Sequence, residues 1–366
     1  MNTRLTAALG LAAALSLSAC AANEIPGAGT PGTTGSDTPG TSSGLSGTLA
    51  GKGASSAKVA QETWIAAFQT ANTAVTINYS PDGSGAGREA FMGGGADFAG
   101  SDRALKTEEN VAGAFKGCAD ASAAIDVPIY VSPIAVVFNL DGVTELNLTP
   151  EVLAKIFHGD ISNWNDPAIA AINDGATFPD LAITAVHRSD KSGTTGNFTD
   201  YLAVAAADVW TGGSVEEWPL QGGEAAKGTS GVVAAVTGGA GTIGYADASQ
   251  AGKASIAKVG PDGAFELPTE EAAIKALEAS PIEEGRAEND IAIALDRTAT
   301  GYPLVLVSYG IACAEYKDPA KGALVKSYLE YVASEEGQAA AAASAGSAPL
   351  SAGLRDKVLA ALATIK

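Results

Sequence analysis

The chain has few of the side chains that bind metals or form disulfides. Its 366 residues include only two histidines, His158 and His187, and three cysteines. Neither histidine has a second histidine, a cysteine or a pair of carboxylates at metal-site spacing, and zinc and iron sites need several such ligands. The sequence therefore predicts neither a metal site nor a cofactor.

The sequence also lacks the motifs of several common enzyme classes. It has no G-x-x-x-x-G-K-[ST] loop, and neither Ser84 nor Ser192 has the flanking glycines of G-x-S-x-G. The G-x-G-x-x-G at residues 27–32 follows no predicted strand and contains Pro31, so we discount it as a dinucleotide site. His187 ends a predicted strand, where a histidine is more often packed than catalytic. We therefore predict that the protein is not an enzyme and has no catalytic residue.

Positive charge is scarce as well. The chain has 22 lysines and arginines against 41 aspartates and glutamates, a formal net charge of -19. Nucleic acids and anionic membrane surfaces are bound by basic faces, so neither is expected as a partner. Beyond the N-terminus no stretch approaches the roughly 20 apolar residues of a membrane-spanning helix. The hydrophobic content of 46% nevertheless suffices for the cores of two α/β domains.

The N-terminus has the features of an export signal. Arg4 precedes an apolar run over residues 5–17, and Cys20 follows small residues. The run is too short to remain in a bilayer as a helix, so we predict a signal peptide over residues 1–19. We also predict acylation of Cys20, as in bacterial lipoproteins, with plain secretion as the alternative. The Gly, Pro, Ser and Thr of residues 20–46 then predict a flexible, lipid-anchored linker at the extracytoplasmic face of the cell membrane.

Two cysteines remain if Cys20 carries lipid, namely Cys118 and Cys313. Exported compartments permit disulfides, so we predict that the two are bonded to each other. Two separately buried thiols are the alternative. Thiol labelling with and without reductant distinguishes these outcomes.

Short polar loops recur between predicted strands and helices. They cover residues 51–56, 80–87 and 186–196, the last with the sequence VHRSDKSGTTG. A loop that opens a helix presents unpaired backbone N–H groups and the positive end of the helix dipole, which favour an anion. Arg188 adds a planar donor fork suited to a tetrahedral oxyanion, and Asp190 is placed to orient that fork. An ordinary capped helix with a surface Arg–Asp pair is the alternative.

The rest of the chain alternates predicted strands and helices. A strand over residues 96–100 ends near Asp102, and open α/β sheets place ligand contacts at the carboxyl ends of their strands. We predict a helix over residues 107–116, and two strands with a crossover in residues 124–140, which Pro128 and Pro133 interrupt. Thr–Pro and Asp–Pro pairs typical of helix starts predict helices through residues 157 and 172.

Two segments carry a family resemblance, ADFAGSD at residues 96–102 and RSDKSGT at residues 188–194, and stretches at 155–169 and 241–245 add to it. In this order and spacing the sequence resembles the periplasmic phosphate-binding proteins that feed a phosphate ABC importer. The resemblance implies an α/β, two-domain periplasmic-binding-protein fold of type II with a ligand cleft between the domains. Domain I would comprise residues 47–139 and 304–366, and domain II residues 140–303.

The resemblance also implies a phosphate site. Carried over by position, its residues would be Ser55, Ser56, Ser84, Asp102, Arg188, Ser192, Gly193 and Thr194. Asp102 would accept a hydrogen bond and the others would donate. Phosphate keeps a proton at neutral pH and sulfate does not, so a buried carboxylate at Asp102 would favour phosphate. The implied partners are inorganic phosphate and the permease subunits of an ABC transporter, for a monomer that contacts the membrane only through its lipid.

Two positions depart from the family pattern. Lys191 stands where the family usually has glycine, and Asp82 where it usually has an uncharged residue. Both bear on affinity rather than on the fold. Three other functions stay open: a secreted phosphatase with a loop serine as nucleophile, a binder of sulfate or molybdate with the same fold, and a surface sensor or adhesin.

Overall fold

Strands and helices alternate along residues 44–366, the part of the chain that the computed structural model describes. The strands are β1 Gly47–Gly53, β2 Val75–Ser80, β3 Phe98–Ser101, β4 Ala124–Asn139, β5 Asn147–Leu148, β6 Thr184–Arg188, β7 Glu224–Ala226, β8 Thr242–Asp247, β9 Ser255–Ile256, β10 Lys258–Val259 and β11 Val305–Cys313. The helices are α1 Lys58–Ala71, α2 Ser84–Met92, α3 Pro150–His158, α4 Pro167–Ala170, α5 Gly193–Ala205, α6 Gly228–Gly238, α7 Glu270–Ala279, α8 Pro319–Ala333, α9 Glu335–Ala345 and α10 Ala352–Ala363. The α/β class predicted from the sequence is confirmed.

The main sheet has the strand order β2-β1-β3-β11-β4-β8-β6-β7. β1 pairs in parallel with β2 and β3, and β6 pairs in parallel with β7 and β8. β4 is antiparallel to β11 up to Pro133 and antiparallel to β8 from Ile134 onward. The sheet therefore has two halves that share β4. We call the half with β1–β3 and β11, together with α1, α2 and α8–α10, lobe 1, and the half with β6–β8, together with α3–α6, lobe 2.

The prediction of two strands within residues 124–140 is wrong, because β4 runs unbroken for 16 residues. Pro128 and Pro133 lie inside it, although proline cannot donate a ladder hydrogen bond. Pro128 stands opposite Tyr309, where the register between β4 and β11 shifts, and Pro133 is the last residue paired with β11. Each proline thus occupies a point where the ladder is irregular or changes partner. The point at which β4 changes its partner from β11 to β8 lies inside residues 47–139, the segment assigned to domain I. The domain boundaries stay a prediction.

The helix predicted over residues 107–116 is also wrong, since that segment forms turns. The Asn110 side chain pairs with the backbone of Ala124, accepting from its N–H at 2.9 Å and donating to its carbonyl at 3.0 Å. The Glu109 carboxylate accepts from the N–H of Lys106 at 2.9 Å. Side chains that bond the backbone in this way compete with helix formation.

Helix starts are set by local chemistry in some places and by packing in others. Thr149 and Pro150 cap and open α3 as predicted, whereas α4 ends at Ala170, short of the predicted residue 172. α2 begins at Ser84, four residues before the predicted start at residue 88. Glycine is a poor helix former, but Gly87 is required there because a Cβ would lie 2.5 Å from the Cα of Gly53. Close packing of α2 on β1 therefore outweighs the low helix propensity of glycine.

Trp164 and His187 make packing contacts in lobe 2. Trp164 is fully buried, and its indole N–H donates to the carbonyl of Gly241 at 3.0 Å. The ring of His187 stacks on Trp218 with 5.0 Å between centroids. His187 thus has the packing role that the sequence predicts, and neither residue is among those of the site described below.

The predicted disulfide between Cys118 and Cys313 is present, and it links positions 195 residues apart. A crosslink over so long a loop restricts the unfolded chain, and removing such a bond typically costs roughly 2 to 5 kcal/mol. We expect the double variant Cys118→Ala/Cys313→Ala to lose free energy of unfolding in that range in urea. Equal midpoints for the variant and the oxidised wild type would contradict a stabilising role.

No helix within residues 44–366 is long and apolar enough to cross a membrane. The predicted signal peptide, the acylated Cys20 and nearly all of the predicted linker lie outside the described residues. β1 begins at Gly47, the residue at which predicted domain I starts.

Candidate functional site

Polar loops from both lobes meet at the carboxyl ends of the strands. Lobe 1 contributes the loops after β1, β2 and β3, and lobe 2 the loops after β6 and β7. The N–H of Gly85, in the first turn of α2, donates to the carbonyl of Lys191 at 3.1 Å, so the two sets of loops are in contact. The structure brings all eight predicted ligand-binding residues together here, each of them buried, and we call them the cradle: Ser55, Ser56, Ser84, Asp102, Arg188, Ser192, Gly193 and Thr194.

Glycines make this close approach possible. A Cβ on Gly193 would lie 2.5 Å from both the Cβ of Asp102 and the Oγ of Ser84. A Cβ on Gly83 would lie 2.3 Å from the Oδ2 of Asp190. Gly83 also has a φ of 105°, which other residues rarely adopt. The lobes therefore meet across two positions where no side chain fits.

The guanidinium of Arg188 is held in one orientation by Asp190. Nε donates to Oδ1 at 2.8 Å and Nη2 donates to Oδ2 at 2.5 Å. The N–H of Gly228 donates to the same Oδ1 at 3.0 Å. Burial would raise the pKa of Asp190, but the hydrogen bonds and charge of Arg188 outweigh burial and lower it. The Arg188 side chain is only 2% exposed, so the alternative of a surface ion pair does not apply.

Asp102 is a buried carboxylate that faces hydroxyl donors from both lobes. Its Oδ1 accepts from Ser56 Oγ at 2.6 Å, and its Oδ2 accepts from Thr194 Oγ1 at 3.2 Å. Burial raises the pKa of Asp102, and the bond from Ser56 and the charge of Arg188 oppose that rise. A carboxylate in this position can accept a proton-bearing ligand group but repels a fully ionised one.

Three serines of the cradle are fixed by backbone hydrogen bonds. Ser84 Oγ accepts from the N–H of Asp102 at 3.0 Å, and Ser192 caps α5 by accepting from the N–H of Thr195 at 3.2 Å. Ser55 Oγ accepts from the N–H of Thr229 at 3.1 Å. A hydroxyl that accepts in this way keeps its own hydrogen for donation. These bonds therefore position Ser84 and Ser192 without using their own hydrogens, whereas Ser55 Oγ also lies 3.1 Å from Thr229 Oγ1, and either of those two hydroxyls can donate.

Helix N-termini supply the remaining donors. Gly193 and Thr194 are the first two residues of α5, and N–H groups in the first turn of a helix have no carbonyl partner within that helix. α2 and α6 also begin in these loops, at Ser84 and Gly228. Together the helix dipoles place positive potential where the loops converge. The geometry suits a small tetrahedral anion held by hydrogen bonds.

Three residues that the sequence analysis did not single out support the cradle. Thr229 fixes Ser55, as described above, and Gln250 donates to the Ser55 carbonyl at 2.7 Å. Asn197 donates to the carbonyl of Asp102 at 2.7 Å, across the lobes. Thr229 lies just after β7, at the start of α6. This segment has the same order of strand, polar loop and helix as the three predicted loops, so that order could have identified Thr229. Asn197 and Gln250 carry no such signal.

The two departures from the family pattern have visible contacts. Lys191 is exposed, and the carbons of its side chain lie against Gly85. Asp82 pairs with Lys52 at 3.2 Å and with Lys227 at 3.4 Å. The hydrogen bond from Lys52 is the main cause that lowers the pKa of Asp82. The extra carboxylate is thus paired with two lysines.

A cavity of about 790 Å³ opens beside the cradle. Of the cradle residues, Asp102 and Gly193 line it, and Arg103, Glu216 and Asn197 form other parts of its wall. The cavity is much larger than a small anion, and its lining is about equally polar and apolar, whereas the cradle donors lie where the loops meet. The candidate site is therefore the cradle, and the cavity lies next to it. Within the described part of the chain, no cluster of His, Cys, Asp and Glu could hold a metal ion.

Comparisons with known proteins identify the family of the chain. A family model described as the PBP superfamily domain matches residues 33–336. Phosphate-binding protein PstS 3 of Mycobacterium tuberculosis is 36% identical over 342 residues, which cover 89% of this chain and 90% of that protein.

Solved structures of low sequence identity show the same fold. A phosphate-binding protein from Stenotrophomonas maltophilia superposes with a TM-score of 0.68 at 23% identity, covering 86% of this chain and 93% of that one. A substrate-binding protein of a putative phosphate ABC transporter from Clostridium perfringens, solved with bound phosphate, gives 0.60 at 22% identity, covering 83% and 100%. The chain therefore belongs to the PBP superfamily and, within it, to the family of the PstS phosphate-binding proteins.

Proposed function

We propose that this protein binds inorganic phosphate in the cradle, between its two lobes, and delivers it unchanged to the permease of an ABC transporter. Asp102 carries the proposal. This carboxylate is buried, and it lies among donors that suit an anion. A site built for any anion would gain nothing from a second negative charge, whereas a ligand that brings its own proton can donate to it.

The donor set is strong enough for tight binding. Hydrogen bonds to charged groups contribute roughly 1.5 to 3 kcal/mol each, and helix termini up to about 2 kcal/mol. Arg188, the N–H groups of Gly193 and Thr194, and the hydroxyls of Ser84 and Ser192 would all act on one ion. After the costs of association and lobe closure are subtracted, such a set can give a binding free energy of about −8.2 kcal/mol, which corresponds to a micromolar complex.

Titration calorimetry tests the proposal. We expect the purified protein to bind phosphate with micromolar or tighter affinity, and sulfate and molybdate much more weakly. Tight binding of sulfate or molybdate in preference to phosphate would replace the proposal with the oxyanion alternative. Release of product from a chromogenic phosphomonoester would instead support the phosphatase alternative.

Phosphate selectivity is expected to fall in acid. Burial raises the pKa of Asp102, so this carboxyl takes up a proton at a higher pH than an exposed one does. Protonated Asp102 can donate a hydrogen bond to sulfate. It can no longer accept the phosphate proton as a charged carboxylate. As the pH falls through the raised pKa, the affinity for sulfate should rise and the preference for phosphate should shrink. Calorimetry with both anions over a pH series measures this, and a constant ratio of affinities would contradict it.

We further propose that the protein is a monomer anchored by a lipid on Cys20 at the extracytoplasmic face of the cell membrane. The relatives' names as phosphate-binding proteins and the lipobox-like sequence before Cys20 support this placement. The permease is then the only protein partner that the function requires. Cys20→Ala should release the protein from the membrane fraction, and retention of that variant in the membrane would argue against the anchor.

A further inference from the structure

A buried carboxylate outside the cradle bridges the two lobes. Glu216 lies in lobe 2, between α5 and β7, and its Oε2 accepts from Arg88 Nη2 at 2.5 Å and from Arg103 Nε at 3.0 Å. Arg88 belongs to α2 and Arg103 follows β3, so both arginines come from lobe 1. The Arg88 side chain is 4% exposed and that of Glu216 is 13% exposed. We call these three residues the latch.

The latch is connected to the cradle on both sides. In lobe 2, the carbonyl of Glu216 accepts from the N–H of Ser192 at 2.9 Å. In lobe 1, Arg88 Nη1 donates to the Oγ of Ser101 at 2.6 Å, and Ser101 directly precedes Asp102. The latch residues themselves are not cradle residues. They act on the ligand site through Ser192 and Asp102.

The latch forms only when the lobes are in contact, because its charges come from different lobes. When the lobes separate, the ion pair between Arg88 and Glu216 breaks and water hydrates both side chains. When they close, each buried charge needs the other, since a buried charge without its partner is strongly unfavourable. Hydrogen bonds and charges from both arginines lower the pKa of Glu216 although burial would raise it, so Glu216 stays ionised at neutral pH.

We propose that the Glu216 carboxylate is a positioning group for phosphate binding, which holds lobe 1 and lobe 2 closed on the bound ion without contacting it. This rests on the proposed function. A second ion pair between the lobes, Lys227 with Asp82, offers a contrast: its side chains are 69% and 38% exposed and 3.4 Å apart. Exposed pairs contribute little, so this pair adds little to lobe closure, whereas the latch holds its charges away from water.

The experiment compares Glu216→Gln with Glu217→Gln. Both remove one negative charge at adjacent positions, but Glu217 is exposed. In Glu216→Gln the closed form must bury Arg88 without its counter-ion. We expect phosphate to bind at least about tenfold more weakly than to wild type, mainly through faster release in stopped-flow measurements, because losing one partner of a buried pair acts on dissociation. Glu217→Gln should bind like wild type.

Two further measurements separate positioning from a general structural role. A role in folding alone would lower the melting temperature of the phosphate-free protein and leave affinity intact, whereas the latch predicts a smaller rise of that temperature upon phosphate addition. Glu216→Asp keeps the negative charge and should recover part of the phosphate affinity. If Glu216→Gln does not fold, the phosphate affinity and release rate of Glu216→Asp are compared with wild type instead. If wild type fails to bind phosphate, the proposed function is wrong. If wild type binds and Glu216→Gln releases phosphate at the same rate as Glu217→Gln, the latch is overturned.

Discussion

Replacing Asp102 with asparagine is expected to abolish the preference for phosphate over sulfate. The amide can donate to sulfate and carries no charge to repel it, while phosphate loses a charged acceptor for its proton. Selectivity built on an unmatched buried hydrogen bond can reach about 10⁴ to 10⁵. We therefore expect the ratio of the two affinities to collapse by several orders of magnitude, through gain of sulfate binding as much as loss of phosphate binding.

Competition titration of phosphate against sulfate measures the effect of Asp102→Asn. Asp141→Asn is a matched control, since Asp141 is exposed and distant in sequence from the cradle. The fold should tolerate the change at Asp102, because the hydroxyls of Ser56 and Thr194 can donate or accept. A variant that keeps the full preference of wild type would show that Asp102 is not the discriminating group.

Replacing Arg188 with alanine should weaken phosphate binding and also destabilise the protein. Loss of a charge-assisted hydrogen bond costs about 1.5 to 3 kcal/mol of binding free energy or more. The substitution also leaves Asp190, whose side chain is 13% exposed, without its cation, and breaking a buried pair costs roughly 3 to 5 kcal/mol of stability. Arg188→Lys keeps the charge but cannot repeat the two-atom contact with Asp190, so it should fall between alanine and wild type.

The double variant Arg188→Ala/Asp190→Ala separates the two effects. Without the unpaired carboxylate, the free energy of unfolding should recover toward that of wild type, whereas phosphate affinity should stay low. Urea unfolding and calorimetry on the same preparations measure both. Recovery of affinity together with stability would show that Arg188 acts only through the fold.

The loops that form the cradle could be recognised in the sequence by their recurring pattern, and the resemblance to phosphate-binding proteins supplied the individual residues. The loops after β1, β2 and β6 each contain small polar residues before a helix, and Asp102 follows a compact strand. The pattern does not predict how early in these loops the helices begin. α2 and α5 begin at Ser84 and Gly193, inside the loops predicted over residues 80–87 and 186–196.

Features that depend on distant pairing were out of reach. Nothing near Glu216 indicates that Arg88, 128 positions earlier in the chain, will lie against it. The unbroken β4 was misjudged for a related reason: its prolines interrupt a ladder only if a partner needs their N–H groups, and the partners come from β8 and β11. α7 and α9 were not predicted at all.

A crystal structure of the protein grown in millimolar inorganic phosphate tests the central claim most directly. We expect one tetrahedral ion between the lobes, in contact with the guanidinium of Arg188, the N–H groups of Gly193 and Thr194, and one carboxylate oxygen of Asp102. Water alone among those residues, with phosphate bound only at the surface, would contradict the proposed function.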